Sequence, residues 1–143
     1  MAIENASGGT LADLIKRRCG TNSIINSGTE NEKKSAENQT LSEDDCAKII
    51  RGILQGLQHI HSFDYVHRDI KPSNVVIDDI NDLQTVKIVD FGLAIKVHLK
   101  HGLDDECGTL VYSAPEQIFG EKSYGKPIDL WAVGFVMYEL ICG

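Results

Sequence analysis

Two short stretches hold most of the side chains in this sequence that could do chemistry together. The first is His67-Arg68-Asp69-Ile70-Lys71-Pro72-Ser73-Asn74, which sets a carboxylate, an ammonium and an amide within six residues, Asp69 to Asn74. Pro72 biases Lys71 away from the helical region, so these side chains should project from an extended turn. Sixteen residues after Asn74 comes Asp90-Phe91-Gly92, where glycine permits a sharp turn directly after another carboxylate. Phosphoryl transfer needs a carboxylate to take or orient a hydroxyl proton, oxygen ligands for Mg²⁺, and a cation on the moving phosphoryl group. The two stretches supply all three.

Loops of this kind need rigid flanks, and the apolar pattern provides them. Thr10 with Asp13 three residues on starts a short helix, with Leu11, Leu14 and Ile15 on one face and an end near Gly20. Residues 21–40 are polar without an apolar period and read as a surface loop. Ser42, with Asp45 following, caps a long amphipathic helix through Cys46, Ile49, Ile50, Ile53, Leu54, Leu57 and Ile60, ending near Phe63. Val75-Val76-Ile77 and Val86-Lys87-Ile88-Val89 then read as a small β-hairpin joined by a polar turn, DDINDLQT. Residues 93–116 follow neither period and read as a long irregular loop, a length that is usually functional. From Ile128 a helix apolar on nearly every face runs to the end, which marks it as central.

Bulk properties narrow the partners. With 143 residues, 42% hydrophobic and 24% charged, the chain has the composition of one ordinary globular domain. A formal net charge of −7 argues against nucleic acid or an anionic membrane as the main partner. Cys19, Cys46, Cys107 and Cys142 show no metal-ligand spacing and read as free thiols of a reducing compartment. Met1-Ala2-Ile3-Glu4-Asn5 has no signal-peptide pattern, and Ile128–Cys142 is too short and polar to span a membrane. A cytoplasmic location is the expectation.

In chain order, H-R-D-x-x-x-x-N at 67–74, D-F-G at 90–92, Cys107-Gly108-Thr109 with Ala114-Pro115-Glu116, and Asp129-Leu130-Trp131-Ala132-Val133-Gly134 resemble the eukaryotic-type serine/threonine protein kinase catalytic domain. Asp90 to Glu116 spans 27 residues inclusive, and the resemblance runs from Ile3 to Gly143. It implies an α+β, protein-kinase-like fold: a mainly helical large lobe with a small β-hairpin, the small lobe almost entirely absent. Its parts would be a hinge at 1–11, two helices over 12–63 with a polar loop at about 19–40, catalytic and metal-binding loops at 64–92, an activation segment at 93–116 and a central helix at 127–142.

The resemblance implies a role for each matching residue. Asp69 would accept or orient the substrate hydroxyl proton, and Lys71 would steady the transferring phosphoryl group. Thr109 would bond near both, which with Lys71 resembles the serine/threonine branch. Asn74 and Asp90 would ligate Mg²⁺. His67 and Phe91 would pack in a hydrophobic stack, and Asp129 would anchor the catalytic loop. The Glu4 carbonyl and Ala6 backbone would meet the adenine of ATP, Thr10 would approach the ribose, and Leu11 belongs to the same ATP-binding hinge. Val76 would lie under the adenine, with Val136 and Leu140 beneath it. Arg68 is the usual partner of an activation-loop phosphate. No Ser, Thr or Tyr lies between Asp90 and Gly108, so Asp105 or Glu106 is expected to take that phosphate's place as a constitutive mimic.

Departures from the pattern qualify the activity. These residues contain no G-x-G-x-x-G loop, no strand lysine for the phosphates and no partner for Glu116 from a later helix. Ser73 and Thr10 stand where many kinases that favour basic peptides carry acidic residues. The expectation is a kinase that transfers the ATP γ-phosphoryl group to protein Ser/Thr hydroxyls, inactive as these 143 residues alone. The alternative is a non-catalytic kinase-like module that binds or interferes. The expected partner is a protein substrate; neither subgroup nor oligomeric state is legible.

Overall fold

A computed structural model describes residues 6–19, 41–97, 107–119 and 124–142 of the chain. Helix α1 (Leu11–Cys19) starts where Thr10 and Asp13 cap one another: the Thr10 N–H and hydroxyl donate to Asp13 Oδ2 (3.1 and 2.6 Å), and the Asp13 N–H donates to Thr10 Oγ1 (3.1 Å). Helix α2 (Glu43–Ser62) starts at Ser42, whose Oγ accepts from the Asp45 N–H at 3.1 Å. Glu43, Asp44 and Asp45 in its first turn and His59 and His61 in its last suit the helix dipole. Its stripe of Cys46, Ile49, Ile53 and Leu57 is buried, and it ends at Phe63 as the periodicity predicts.

Two short antiparallel sheets follow. Strands β2 (Val75–Asp79) and β3 (Asp82–Ile88) form the expected hairpin, with Val75 opposite Ile88 and Ile77 opposite Val86. The strands reach further into the polar stretch than its composition suggests, leaving only Ile80 and Asn81 between them. Polar side chains bridge that turn rather than unravel it. Thr85 Oγ1 accepts from the Asp79 N–H (2.9 Å) and donates to the Asp82 carbonyl (2.7 Å). Strands β1 (Tyr65–Val66) and β4 (Ile95–Lys96) pair in the second sheet, so part of the stretch read as irregular is ordered.

Helix α3 (Pro115–Ile118) is a single turn, and helix α4 (Pro127–Cys142) closes the chain. One core joins Leu11 and Leu14 of α1, the α2 stripe, Val75 and Ile77 of β2, and Ala132, Val133, Val136 and Leu140 of α4. A smaller one gathers Val66, Ala114, Tyr124 and Ile128. Helix α4 is apolar all round but buried on one face: Leu130, Trp131, Met137, Tyr138 and Ile141 are each at least 45% exposed. No helix among the described residues is long and apolar enough to cross a membrane.

The seat of α2 on the hairpin depends on Gly52. A Cβ there would lie 2.3 Å from Val86 Cγ2, so only glycine lets the helix approach β3 this closely. Because β3 leads directly into Asp90, this packing also sets where the second functional loop begins.

Candidate active site

The chain between β1 and β2 is held by its backbone before any reactive side chain comes into play. Arg68 has φ 68°, the left-handed region that non-glycine residues seldom adopt. It is gripped from α4: Asp129, 1% exposed, accepts the Arg68 N–H at Oδ1 and the His67 N–H at Oδ2, both at 2.9 Å. His61 of α2 adds its Nε2 to Asp129 Oδ2 at 2.8 Å. Gly108 sits where a Cβ would meet the Arg68 carbonyl at 2.6 Å and has φ +99°, so the Cys107–Thr109 turn closes on the loop only with glycine there. The anchoring expected of Asp129 is therefore present, with a third partner that the sequence did not single out.

On this frame Asp69, Lys71, Asn74 and Thr109 converge. Lys71 Nζ lies 2.7 Å from Asp69 Oδ2 and donates to Thr109 Oγ1 at 2.9 Å, while the Thr109 hydroxyl donates to Asp69 Oδ1 at 2.8 Å. The one hydroxyl proton is thus spent on the carboxylate and its lone pair on the ammonium. Asn74 Nδ2 donates to the Asp69 carbonyl and to Asp69 Oδ2, each at 2.9 Å. Burial pushes the Asp69 carboxyl up. The hydrogen bonds from Lys71 and Thr109, the Lys71 charge and the Asn74 amide outweigh it and hold the group below its usual range. Asp69 is an ionised acceptor, oriented through both oxygens.

Asn74 sits at the end of a 3₁₀ turn, Pro72–Asn74, that feeds β2, and the Val89 N–H donates to its carbonyl at 2.9 Å. That bond brings the second loop beside the first. Asp90 has φ 62° and its Oδ1 accepts the Gly92 N–H at 3.2 Å, the turn that glycine was expected to permit. Phe91 meets the His67 ring edge-on with centroids 5.1 Å apart, joining the expected stack, and His67 Nε2 lies 3.1 Å from the Val89 carbonyl. The residues proposed for Mg²⁺ fit that ion. With its nitrogen committed to Asp69, Asn74 has its amide oxygen left for a cation, and Asp90 offers an exposed carboxylate. Mg²⁺ commonly takes one or two carboxylates with water and substrate phosphates rather than an all-protein cage.

The hinge-like segment borders the hairpin. The Gly8 N–H donates to the Ile77 carbonyl (3.0 Å) and the Ile77 N–H to the Gly9 carbonyl (2.9 Å), and a Cβ on Gly8 would strike that Ile77 oxygen at 2.6 Å. Thr10 bridges Val76. Val76 is half-buried between fully buried Val75 and Ile77, so its side chain lies on the face of β2 away from the core. Leu11 is fully buried in the core with Val136 and Leu140, behind that face. Ala6 is described and half-buried; Glu4 lies outside the described residues. The Thr10 hydroxyl is engaged with Asp13 rather than pointing free.

Of the activation-loop group, Asp105 and Glu106 also lie outside the described residues. Arg68 donates from Nε to the Leu93 carbonyl at 2.8 Å and from Nη1 to the Tyr124 hydroxyl at 3.4 Å. Sequence reasoning missed three supports. One is His61, and the others are Tyr112 donating to Glu139 at 3.0 Å and Lys126 bound to Asp64 at 2.7 Å. Each pair joins residues at least 27 positions apart, and no local period marks them.

Known proteins have sequences similar to this one. A sequence-family model described as "Protein kinase domain" matches residues 1–143. The SNF1-related protein kinase catalytic subunit alpha KIN12 of Arabidopsis thaliana is 41% identical over 107 residues, 75% of this chain and 21% of that protein. The probable serine/threonine-protein kinase pXi of Dictyostelium discoideum is 39% identical over 116 residues, 81% of this chain and 17% of its own length. The probable serine/threonine-protein kinase MARK-C of the same organism is 32% identical over all 143 residues, 16% of its length. The chain thus spans between 16% and 21% of these relatives.

Proposed function

Because this chain belongs to the protein kinase domain family, we propose that its Asp69 and Asp90 loops carry the phosphoryl-transfer half of a serine/threonine protein kinase site. The observation that supports this most is the closed network of Asp69, Lys71, Thr109 and Asn74. Asp69 is ionised and aimed, ready to take the proton of a substrate Ser or Thr hydroxyl. The hydroxyl oxygen bonds to the γ-phosphorus of ATP as the bond to the departing ADP oxygen breaks. Lys71 stands beside that path as the cation for charge on the moving group. Asn74 and Asp90 would hold Mg²⁺, which supplies neutralisation of the ATP phosphates. We place adenine and ribose on the surface that Ala6, Thr10 and Val76 border, with fully buried Leu11 supporting it from the core, and extend the assignment to Glu4.

The strand lysine that pairs with ATP phosphates in this family, and the glutamate that pairs with that lysine, are not among these residues, so the 143 alone should turn over slowly. The test is Mg²⁺-dependent transfer from labelled ATP to mixed Ser, Thr and Tyr peptides. The chain is used alone and fused behind a small-lobe segment that carries a glycine-rich loop and strand lysine. The fusion should phosphorylate Ser and Thr but not Tyr, and Asp69→Asn and Asp90→Asn should each abolish transfer. A folded fusion no more active than its Asp69→Asn variant overturns the catalytic reading in favour of a non-catalytic binding module.

A further inference from the structure

We propose that Gln117 builds a site for one internal water molecule, which takes a hydrogen from Gln117 Nε2 and gives its own to Ser113 Oγ and Asp129 Oδ1. A small cavity of about 10 Å³ lies where the Asp69 loop, the Thr109–Gln117 stretch and α4 meet. Gln117, Ser113, Asp129, Thr109, Ile128 and Ala132 are among the residues that border it. About 10–15 Å³ is the least that holds a water, so this space admits one and no more. The site stands apart from the phosphoryl-transfer reading and needs neither ATP nor a metal ion.

The polar groups on this cavity are matched as donor and acceptors that do not meet directly. Gln117 is oriented by its amide oxygen: Oε1 accepts the Ala114 N–H at 3.0 Å, which only the oxygen end of an amide can do. Nε2 is therefore the donor end, and it is fully buried with no hydrogen-bond partner among the described residues. Native proteins seldom leave such a donor unpaired, because nothing then offsets its loss of hydration. Acceptors with spare capacity border the same space. Ser113 Oγ gives its hydrogen to the Thr109 carbonyl at 3.3 Å and keeps lone pairs to accept with. Asp129 Oδ1 accepts the Arg68 N–H at 2.9 Å, and a carboxylate oxygen can take a second hydrogen. Thr109 Oγ1 is already engaged twice, donating to Asp69 and accepting from Lys71. One donor and two acceptors around room for one water are the set that a water's lone pair and two hydrogens complete. The bridge would tie α3 to the carboxylate that grips the Arg68 N–H.

A crystal structure of the full chain, at a resolution that shows ordered water, reads the site directly and independently of any transferase activity. One water within hydrogen-bond distance of Gln117 Nε2, Ser113 Oγ and Asp129 Oδ1 is expected. A dry cavity, or a water that bonds the two acceptors but not Gln117, overturns the proposal. Solution NMR supplies the second arm. Water held in the cavity should give Overhauser contacts to the Ala132 and Ile128 methyl protons with the sign of a long-held molecule. Gln117→Met, which keeps the side chain's length and removes its donor, should weaken those contacts at least twofold. Contacts of equal strength in a folded Gln117→Met, or none in the wild-type chain, overturn the proposal. If Gln117→Met does not fold, the wild-type crystal decides alone: the three-bonded water supports the site, and its absence sinks it.

Discussion

Substituting alanine for Gly52 puts the seat of the candidate site under direct strain. The added Cβ would stand 2.3 Å from Val86 Cγ2 and 3.4 Å from the Gln84 carbonyl, whereas carbon atoms in contact prefer about 3.5–4.0 Å. More than an ångström of relief must come from somewhere. Val86 is β-branched with little rotamer freedom, and its strand is pinned to Ile77 across the hairpin. Overpacking of this kind costs about 1–3 kcal/mol, while exchanging a helical glycine for alanine gains about 1 kcal/mol. The net expectation is a loss of about 0–2 kcal/mol. Gly56 is the internal control. Its Cβ would meet the outer end of the Ile88 side chain, Cδ1 at 3.0 Å and Cγ1 at 3.4 Å, which can turn aside. Gly56→Ala should therefore be neutral or up to about 1 kcal/mol more stable. Urea unfolding followed by circular dichroism reads the difference. With m near 1–3 kcal/mol/M, 1 kcal/mol moves the midpoint by about 0.3–1 M. A Gly52→Ala chain more stable than wild type, as an unobstructed helical alanine would make it, would refute the close helix–strand seat, and with it the account of how β3 delivers Asp90.

Four further outcomes follow from the site. The Asp69 carboxyl is held below its usual range, so the stability it contributes is present above the unfolded value and lost as pH falls through the folded one; urea midpoints of wild type and Asp69→Asn should converge below about pH 4, and a constant gap would contradict this. Burial and the Glu139 carboxylate push Tyr112 up to about 12, so absorbance at alkaline pH should show one tyrosine ionising last and missing from Tyr112→Phe, with stability falling as pH rises from 10 toward that value. In the fused kinase, Thr109→Val should lower kcat about tenfold to a hundredfold with KM nearly unchanged and Thr109→Ser should recover it; a change confined to KM would mean that Thr109 serves binding alone. Asp105→Ala combined with Glu106→Ala should lower turnover of the same fusion if the acidic pair substitutes for a phosphate, and unchanged turnover rejects the mimic.

What could be read from the sequence was what is local. Thr10 with Asp13 and Ser42 with Asp45 are contacts three residues apart, so both helix starts are written in the residues themselves. The α2 stripe repeats at helical spacing and needs no partner to be recognised. Asp69, Lys71 and Asn74 likewise fall within one turn, and their convergence was legible from it. The β1–β4 pair was not, because two residues per strand show no alternation and their order comes from a partner thirty positions away. The hairpin was foreshortened for a different reason. Asp79, Asp82 and Thr85 look like loop formers by type, yet here they bond across the turn and let the strands continue. His61 and Tyr112 had no local signal at all; each matters through an atom supplied by a distant segment.

The backbone strain in the described residues is concentrated at the functional turns. Asp64, Arg68 and Asp90 are the non-glycine residues there with positive φ, at 62°, 68° and 62°. At about 1–2 kcal/mol each the three oppose folding by roughly 3–6 kcal/mol, against a typical net stability of about 5–15. Aspartate tolerates this region better than most residues and arginine does not, so Arg68 needs the strongest hold. It has one, from the buried carboxylate of α4 at its N–H and the Leu93 carbonyl at its guanidinium. Asp64 is tied by the Val97 N–H at its carbonyl (2.7 Å) and by Lys126 at its side chain, and Asp90 closes on the Gly92 N–H. The ties just named at Arg68 and Asp64 come from outside the turn that bears the strain. The orientation of Asp69 is therefore a property of α2, β4 and α4 as much as of its own turn. Weakening the grip of α4 should misplace the Asp69 carboxylate while every residue of the H-R-D motif is still in the chain.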